Sequence, residues 1–439
     1  VNKTVKTIVG IFVAVILLAG AFSGGFIVGH LMPATGGVGF PDFDNVLPKS
    51  QSPTAEQQAS TPGDVQDLFV PFWEAWNLVH EQYVDQPVDD VVLMQGAIHG
   101  MLDALDDDHT SYMEPTLYDN QISELHGSYE GIGAYVDITG EYLTIISPIE
   151  GTPADHAGLK TGDRVIAVDG IDMTGIEPEE VLNKVVGPKG TTVTLTVARE
   201  GEQESLEFTI TREEIVIRSA EGKMLEDGIA YVDINTFGER TTAELRETLD
   251  TLMPQNPQGI IIDLRNNGGG YLTTAVEVTS EFIDNGVIMY EQYGNGDRDE
   301  YKALGSGRAT NIPIVVLINE GSASASEILA GALEDYGRAT LVGVQSYGKG
   351  SVQIVQALSN DQGAARVTIA KWLTPKERTI EDVGLAPDVV VEMTNEDFEA
   401  ERDPQLDAAV ETMKAVLNQT ALPTSMPTST PAVTPTPVH

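Results

Sequence analysis

From Glu213 to Glu392 short apolar runs alternate with segments of helical period, which restricts this stretch to a layered α/β architecture. Gly228–Ile234 and Gly259–Leu264 read as buried strands, Ile312–Ile318, Thr340–Val344 and Ser351–Val355 as further strands. Thr242–Met253 and Ser324–Tyr336 read as helices.

Ahead of it the pattern changes twice. Between Asp67 and Leu105 two apolar stripes have helical spacing: Phe69, Phe72, Trp73, Trp76, Val79 and Tyr83, then Leu93, Ala97, Ile98, Met101, Leu102 and Leu105. They predict two amphipathic helices whose aromatics form core, packed on each other or on a partner chain. Asp106-Asp107-Asp108-His109 reads as a polar, helix-ending loop in preference to a metal site. From Tyr129 to Thr211 short alternating strands and glycine turns predict a β-domain.

At the N-terminus Lys3 and Lys6 precede an apolar stretch from Ile8 to Met32. A bilayer core needs about 20 such residues, and the flanking charge predicts a body outside the cytoplasm. The expectation is a single-pass anchor with the body of the chain periplasmic or extracellular; a signal peptide cleaved after Ala19-Gly20-Ala21 is the other reading. The expected organisation is an anchor at 1–32, a disordered linker at 33–66, a helical region at 67–127 and a β-domain at 128–212. An α/β core at 213–398, a helix at 399–419 and a disordered Pro/Thr tail at 420–439 follow.

Composition narrows the chemistry. With 67 acidic against 25 basic residues the net charge is −42, which argues against nucleic acid as a partner. No cysteine is present, so disulfides, thiolate metal sites and cysteine nucleophiles are excluded. The seven histidines leave Ala157–Val438 without any, so a Ser-His-Asp arrangement has no base there.

Three constellations remain. Gly343 to Lys349 approximates a phosphate-binding loop, but Gly350 stands where Ser or Thr is needed and a strand pattern follows. Ser346-x-x-Lys349 has serine–lysine spacing, but glycines flank the lysine and disfavour the helix that spacing requires. In the third, Ser322-Ala-Ser324-Ala-Ser326-Glu327 opens a helix after a buried strand, and Lys349 lies 25 positions beyond Ser324. A helix N-terminus favours developing negative charge, and a desolvated lysine can act as the base. By the period of two, Gln353 shares a face with Lys349 and Ser351 and could orient the ammonium. A capping box, Ser324-x-x-Glu327, is the purely structural reading.

These strings, together with Asp263-Leu-Arg265-Asn-Asn-Gly268-Gly269-Gly270 and Val383-Gly-Leu-Ala-Pro-Asp388, resemble the C-terminal processing peptidases, or tail-specific proteases, over Phe69–Ala409. The string Ala157-Gly158-Leu159-Lys160-Thr161-Gly162-Asp163 to Gly170 resembles a bacterial PDZ domain. The resemblance implies a crotonase/ClpP-like serine endopeptidase core with an inserted PDZ domain and no metal or cofactor. It implies Ser324 as nucleophile, Lys349 as base and Gln353 beside them, with Ala325 and Gly268 or Gly269 supplying oxyanion amides and Asp335 and Glu327 in support. It also implies that Gly131, Ile132, Gly133 and Ala134 receive the carboxylate of a protein or peptide with an apolar C-terminus; a homodimer is compatible with it. The rival is an inactive PDZ scaffold that only captures peptide tails.

Overall fold

In a computed structural model of the chain, the structure describes residues 67–400 and 402–422. The expected anchor and linker, and the tail from 423 onward, lie outside the described residues. Among the described residues no helix is long and apolar enough to cross a membrane.

The N-terminal region consists of α1 (Val70–Gln82), α2 (Asp90–Asp103), β1 (Ser111–Met113) and α3 (Pro115–His126). Asp89 caps α2, its carboxylate accepting the Val91 and Val92 N–H groups at 2.8 and 3.3 Å. The aromatic stripe gathers ring on ring, with Phe72 and Trp73 centroids 5.1 Å apart. Within one chain the stripe does not form core: α1 buries no residue, α2 buries only Leu102, and Trp73 is 55% exposed, which leaves cover by a partner chain as the remaining part of that expectation. The two stripes border an open groove because no third layer covers them among the described residues.

The β-domain contains β2 (Ser128–Gly131), β3 (Ala134–Asp137), β4 (Thr144–Pro148), α4 (Pro153–Ala157), β5 (Arg164–Val168) and β6 (Ile171–Asp172). It continues with α5 (Pro178–Val185), β7 (Thr192–Ala198), β8 (Leu206–Thr211) and β9 (Glu213–Val216). Its sheet runs β3-β4-β5-β7-β8, which leaves β3 as an edge strand. Val193, Leu195 and Val197 alternate inward along β7 and pack with Ile145, Val165 and Val181 of α5. The chain enters through β2 and leaves through β9, which pair antiparallel from Ser128↔Val216 to Gly131↔Glu213.

The α/β region comprises β10 (Ala220–Met224), β11 (Ala230–Ile234), α6 (Thr241–Leu252), β12 (Ile260–Asp263), α7 (Leu272–Ser280), β13 (Val287–Tyr293) and β14 (Arg298–Lys302). Then come β15 (Ile314–Ile318), α8 (Ala325–Asp335), β16 (Ala339–Gly343), β17 (Ser351–Ala357), β18 (Ala364–Leu373), β19 (Val389–Val390), α9 (Asn395–Glu399) and α10 (Pro404–Asn418). One sheet has the order β10-β11-β12-β15-β16-β19 and is parallel except for β10. Every residue of β12 and β15 is buried, as strands covered on both faces require. Ala408, Ala409 and Met413 of α10 join Ile261, Val315 and Val342 in a core cluster. A second, antiparallel sheet, β1-β18-β13-β14 with β17 on β18, was not foreseen from the alternating pattern. It borrows β1 from the N-terminal region, through Ser111↔Arg366 to Met113↔Ala364.

Candidate active site

The parallel sheet delivers its site where β15 turns into α8. Ser324 sits at the N-cap with φ 53° and ψ −113°, a conformation that side chains rarely adopt. The turn is tied down from both sides: Ala323 N–H and Ser326 Oγ donate to the Asn267 carbonyl at 3.0 and 2.8 Å, and Ser322 Oγ donates to the Leu264 carbonyl at 2.8 Å. Gly269 closes on the turn so tightly that a Cβ there would lie 2.9 Å from Ala325 N and from Ser324 Cβ.

That contact separates the two glycines expected to supply an amide. The Gly269 N–H donates to Asn267 Oδ1 at 2.9 Å, so it is not free to meet a ligand, which corrects the expectation for this residue. Gly268 lines the same cleft as Ser324, Ala325, Lys349 and Gln353. The Ala325 N–H, at the first position of α8, has no acceptor within its own helix.

Lys349 lies in the loop before β17, half-buried in that cleft. Its carbonyl accepts Trp372 Nε1–H at 2.8 Å. Burial first, then the positive charge of Arg366, hold its amine below the ordinary lysine range, while Glu381 and Glu327 pull the other way.

Glu327 is the knot of the site. Fully buried, it accepts the Ser324 N–H at 2.9 Å, Ser346 Oγ–H at 2.6 Å, the Gly348 N–H at 2.7 Å and the Lys349 N–H at 3.0 Å. The capping arrangement read from the sequence is therefore present, and the same carboxylate also fastens the serine turn to the lysine loop. Ser346 is consumed here, donating to Glu327 and accepting the Leu385 N–H at 2.7 Å.

Two other expectations are corrected. Gln353 lines the cleft, but its Nε2 donates to Ser351 Oγ at 2.9 Å and Thr368 Oγ1 at 3.1 Å, and it makes no hydrogen bond to Lys349. The strand begins only at Ser351 and its register shifts between Val352 and Gln353, which spoils the simple alternation. Asp335 is remote from the cleft at the far end of α8, where it accepts the Lys376 N–H at 2.8 Å and pairs with Arg378 at 2.5 Å. It is the last of the eleven residues of the helix that Ser324 caps.

In the β-domain, Gly131 ends β2, Ile132 is buried, Gly133 has φ 81° and Ala134 opens the edge strand β3. A Cβ on Gly133 would lie 2.4 Å from that of Thr152, so only glycine fits. The Ile132 and Gly133 carbonyls are engaged by Ala154 N–H and Ile149 N–H at 2.8 and 3.0 Å. The Gly133 and Ala134 N–H groups face the Tyr129 hydroxyl, so this loop is not wholly open to an anion.

Residues whose placement the sequence did not announce line a separate cleft on the sheet and the cleft of Ser324 itself. Arg265 bridges Asp263 at 2.6 Å and Asp403, the cap of α10, at 2.8 Å. Beside them burial, followed by Asp263 and Glu221, pushes Asp233 up to about 6. Arg366 and Trp372 reach the cleft from β18, far along the chain from either motif.

A buried parallel sheet presenting a strained serine beside a desolvated lysine, with a peptide-binding β-domain inserted ahead of it, defines a PDZ-bearing serine peptidase. Comparison with known proteins agrees. Residues 228–391 match peptidase family S41, residues 144–199 the PDZ domain, and residues 40–116 the N-terminal domain of the activating protease CtpB. A carboxyl-terminal-processing protease of Synechocystis is 37% identical over 72% of this chain and 75% of its own. The carboxy-terminal processing protease CtpA of Bacillus subtilis is 35% identical over 77% of this chain and 71% of its own. The chain belongs to the carboxy-terminal processing serine proteases of peptidase family S41.

Proposed function

We propose that Ser324 is the nucleophile and Lys349 the base of this protease, acting on proteins captured by their C-termini. The observation that carries the reading is the shared cleft of Ser324, Lys349 and the Gly268 and Ala325 backbones, with the Lys349 amine held below its ordinary range. Neutral Lys349 takes the proton of Ser324 Oγ as the oxygen adds to the scissile carbonyl. The oxyanion receives the Gly268 and Ala325 N–H groups. The ammonium of Lys349 then gives its proton to the leaving amine, and the acyl-enzyme remains. Water, deprotonated by the same lysine, attacks the ester and restores the serine.

Capture belongs to the PDZ domain. The peptide carboxylate meets the amides of the Gly131–Ala134 loop, its backbone extends edge strand β3, and its last side chain enters an apolar pocket. The core is read as crotonase/ClpP-like, the body as extracytoplasmic and tethered by residues 1–32, and the exposed aromatic groove of α1 and α2 as a homodimer contact. No metal or cofactor enters the scheme.

Cleavage of a tailed peptide by the purified chain, compared with Ser324→Ala, tests the assignment. Activity must vanish in the variant while its melting stays cooperative. Retained turnover in Ser324→Ala, with activity lost in Ser346→Ala, would move the nucleophile elsewhere.

A further inference from the structure

The acidic Asp106–Asp108 run before His109 has no part in the scheme above, yet it ends against the catalytic cleft. Asp107 folds the turn on itself, accepting His109 N–H at 3.2 Å and Thr110 Oγ1–H at 2.5 Å. Buried Thr110 accepts the Thr368 N–H at 3.0 Å, and the His109 carbonyl accepts Arg366 Nε–H at 3.1 Å. The turn therefore grips β18 at two points, and one of them is a guanidinium.

That guanidinium is one of a few without a carboxylate among the described residues, and unlike Arg212 and Arg338 it is not spent on several backbone carbonyls. In a chain of net charge −42, arginines such as Arg199, Arg265 and Arg378 find carboxylates. Arg366 pairs with no carboxylate among the described residues; its single hydrogen bond goes to the His109 carbonyl through Nε. Arg366 lines the same cleft as Ser324 and Lys349. Two cations thus share one pocket. Arginine stays charged at any working pH, so of the two only the lysine can respond by giving up its proton.

We propose that Arg366 is a positioning residue of the peptidase site: the Asp107–Thr110 turn holds its unpaired cation toward Lys349, where it disfavours the ammonium and keeps the amine ready to accept the Ser324 proton. The charged groups facing Lys349 are Arg366 from β18, Glu327 from α8 and Glu381 from the loop ahead of β19. One Glu381 carboxylate oxygen is buried without a hydrogen-bond partner, and a Cβ on Gly350, next to Lys349, would lie 2.8 Å from it. Glu327 is spent on four hydrogen bonds. Arg366 and Glu381 are therefore opposed, one favouring the free amine and the other the ammonium. The Asp107–Thr110 turn in this way reaches the base of the reaction through Arg366, while α3 lines the cleft directly with Tyr118 and Gln121.

The inference rests on Lys349 being the base. Its test is the pH dependence of kcat/KM on an unstructured peptide, which reports the base in the free enzyme. In Arg366→Gln the rising limb should move to higher pH by about one unit, a roughly tenfold loss on the limb that is recovered as pH rises. Arg366→Lys, which keeps the charge, should hold the limb near its wild-type place, and Glu381→Gln should move it to lower pH. Opposite shifts from opposite charges are not produced by partial unfolding. An unmoved limb in Arg366→Gln, or a loss equal at every pH, overturns the proposal; so does a limb that Arg366→Lys moves as far as Arg366→Gln. Should Arg366→Gln fail to melt cooperatively, Asp107→Ala, which loosens the turn, must show the same upward shift in smaller measure, and no shift there overturns it. Full turnover in Lys349→Ala would instead remove the base assignment itself.

Discussion

The parallel sheet and the α1–α2 hairpin are both written in apolar residues, yet they end in opposite surroundings. β12 and β15 bury every residue, while α1 buries none. The sheet has α10 packed on it and helices such as α8 joined to its strands, so each apolar run meets a covering layer. The hairpin rests on β1 through α2, but its aromatic stripes border open space. Periodicity thus tells which face seeks cover; it does not tell what supplies the cover.

The comparison can be broken by mutation. The largest effects belong to the rigid side: Ser324→Ala and Lys349→Arg should each lower kcat/KM by about 10³-fold or more, since arginine cannot take up the serine proton. Folding should survive, because a lost N-cap costs only about 1 kcal/mol. Near-wild-type turnover by Lys349→Arg would end the serine–lysine mechanism. Next, Ile262→Ala in the middle of β12 should destabilise by about 2–5 kcal/mol in denaturant unfolding.

A smaller effect of opposite sign comes from Asp233 on β11. Its raised value of about 6 means that the native state holds a proton that the unfolded chain has released, so stability falls as pH rises through about 6. Asp233→Asn should therefore stabilise the chain by about 1–2 kcal/mol at neutral pH. The gain should disappear below about pH 4, where the carboxyl is protonated in both states. A stabilisation that persists unchanged at low pH would show that charge is not its cause. The smallest effect is expected for Trp73→Ala on α1, within about 0.5 kcal/mol for the isolated chain. A cost as large as that of Ile262→Ala would show that the hairpin is covered after all, by a second copy, and sedimentation should then show the variant dissociating.

Most of the α/β order was legible because each strand and helix carries its own period, and the observed limits of β12, β15 and α8 fall within two residues of those read. Ser324 and Lys349, the proposed nucleophile and base, could be singled out because each lies in a compact local string. The failures are non-local. Gln353 was assigned a lysine partner by an alternation that a register shift interrupts. Gly268 and Gly269 are indistinguishable in sequence, and only the Asn267 side chain, folding back on its own loop, separates them. Asp335 has the right residue type at a helix end that faces away. Arg366 reaches the cleft only because β18 pairs with both β1 and β17, a sheet no local signal announces.

The ribbon of β2 and β9 has a consequence for how such a protein could be rebuilt. Gly131 and Glu213 are partners across one ladder, so the whole peptide-reading module hangs from two adjacent backbone positions. Removing residues 132–212 and closing the gap with a short turn would leave an ordinary hairpin in their place. The same pair of positions offers a docking port for grafting: a foreign domain whose own termini lie side by side would enter the chain there without stretching the peptidase behind it. Recognition and cleavage are in that sense separable cassettes, joined at a seam one residue pair wide in the ladder.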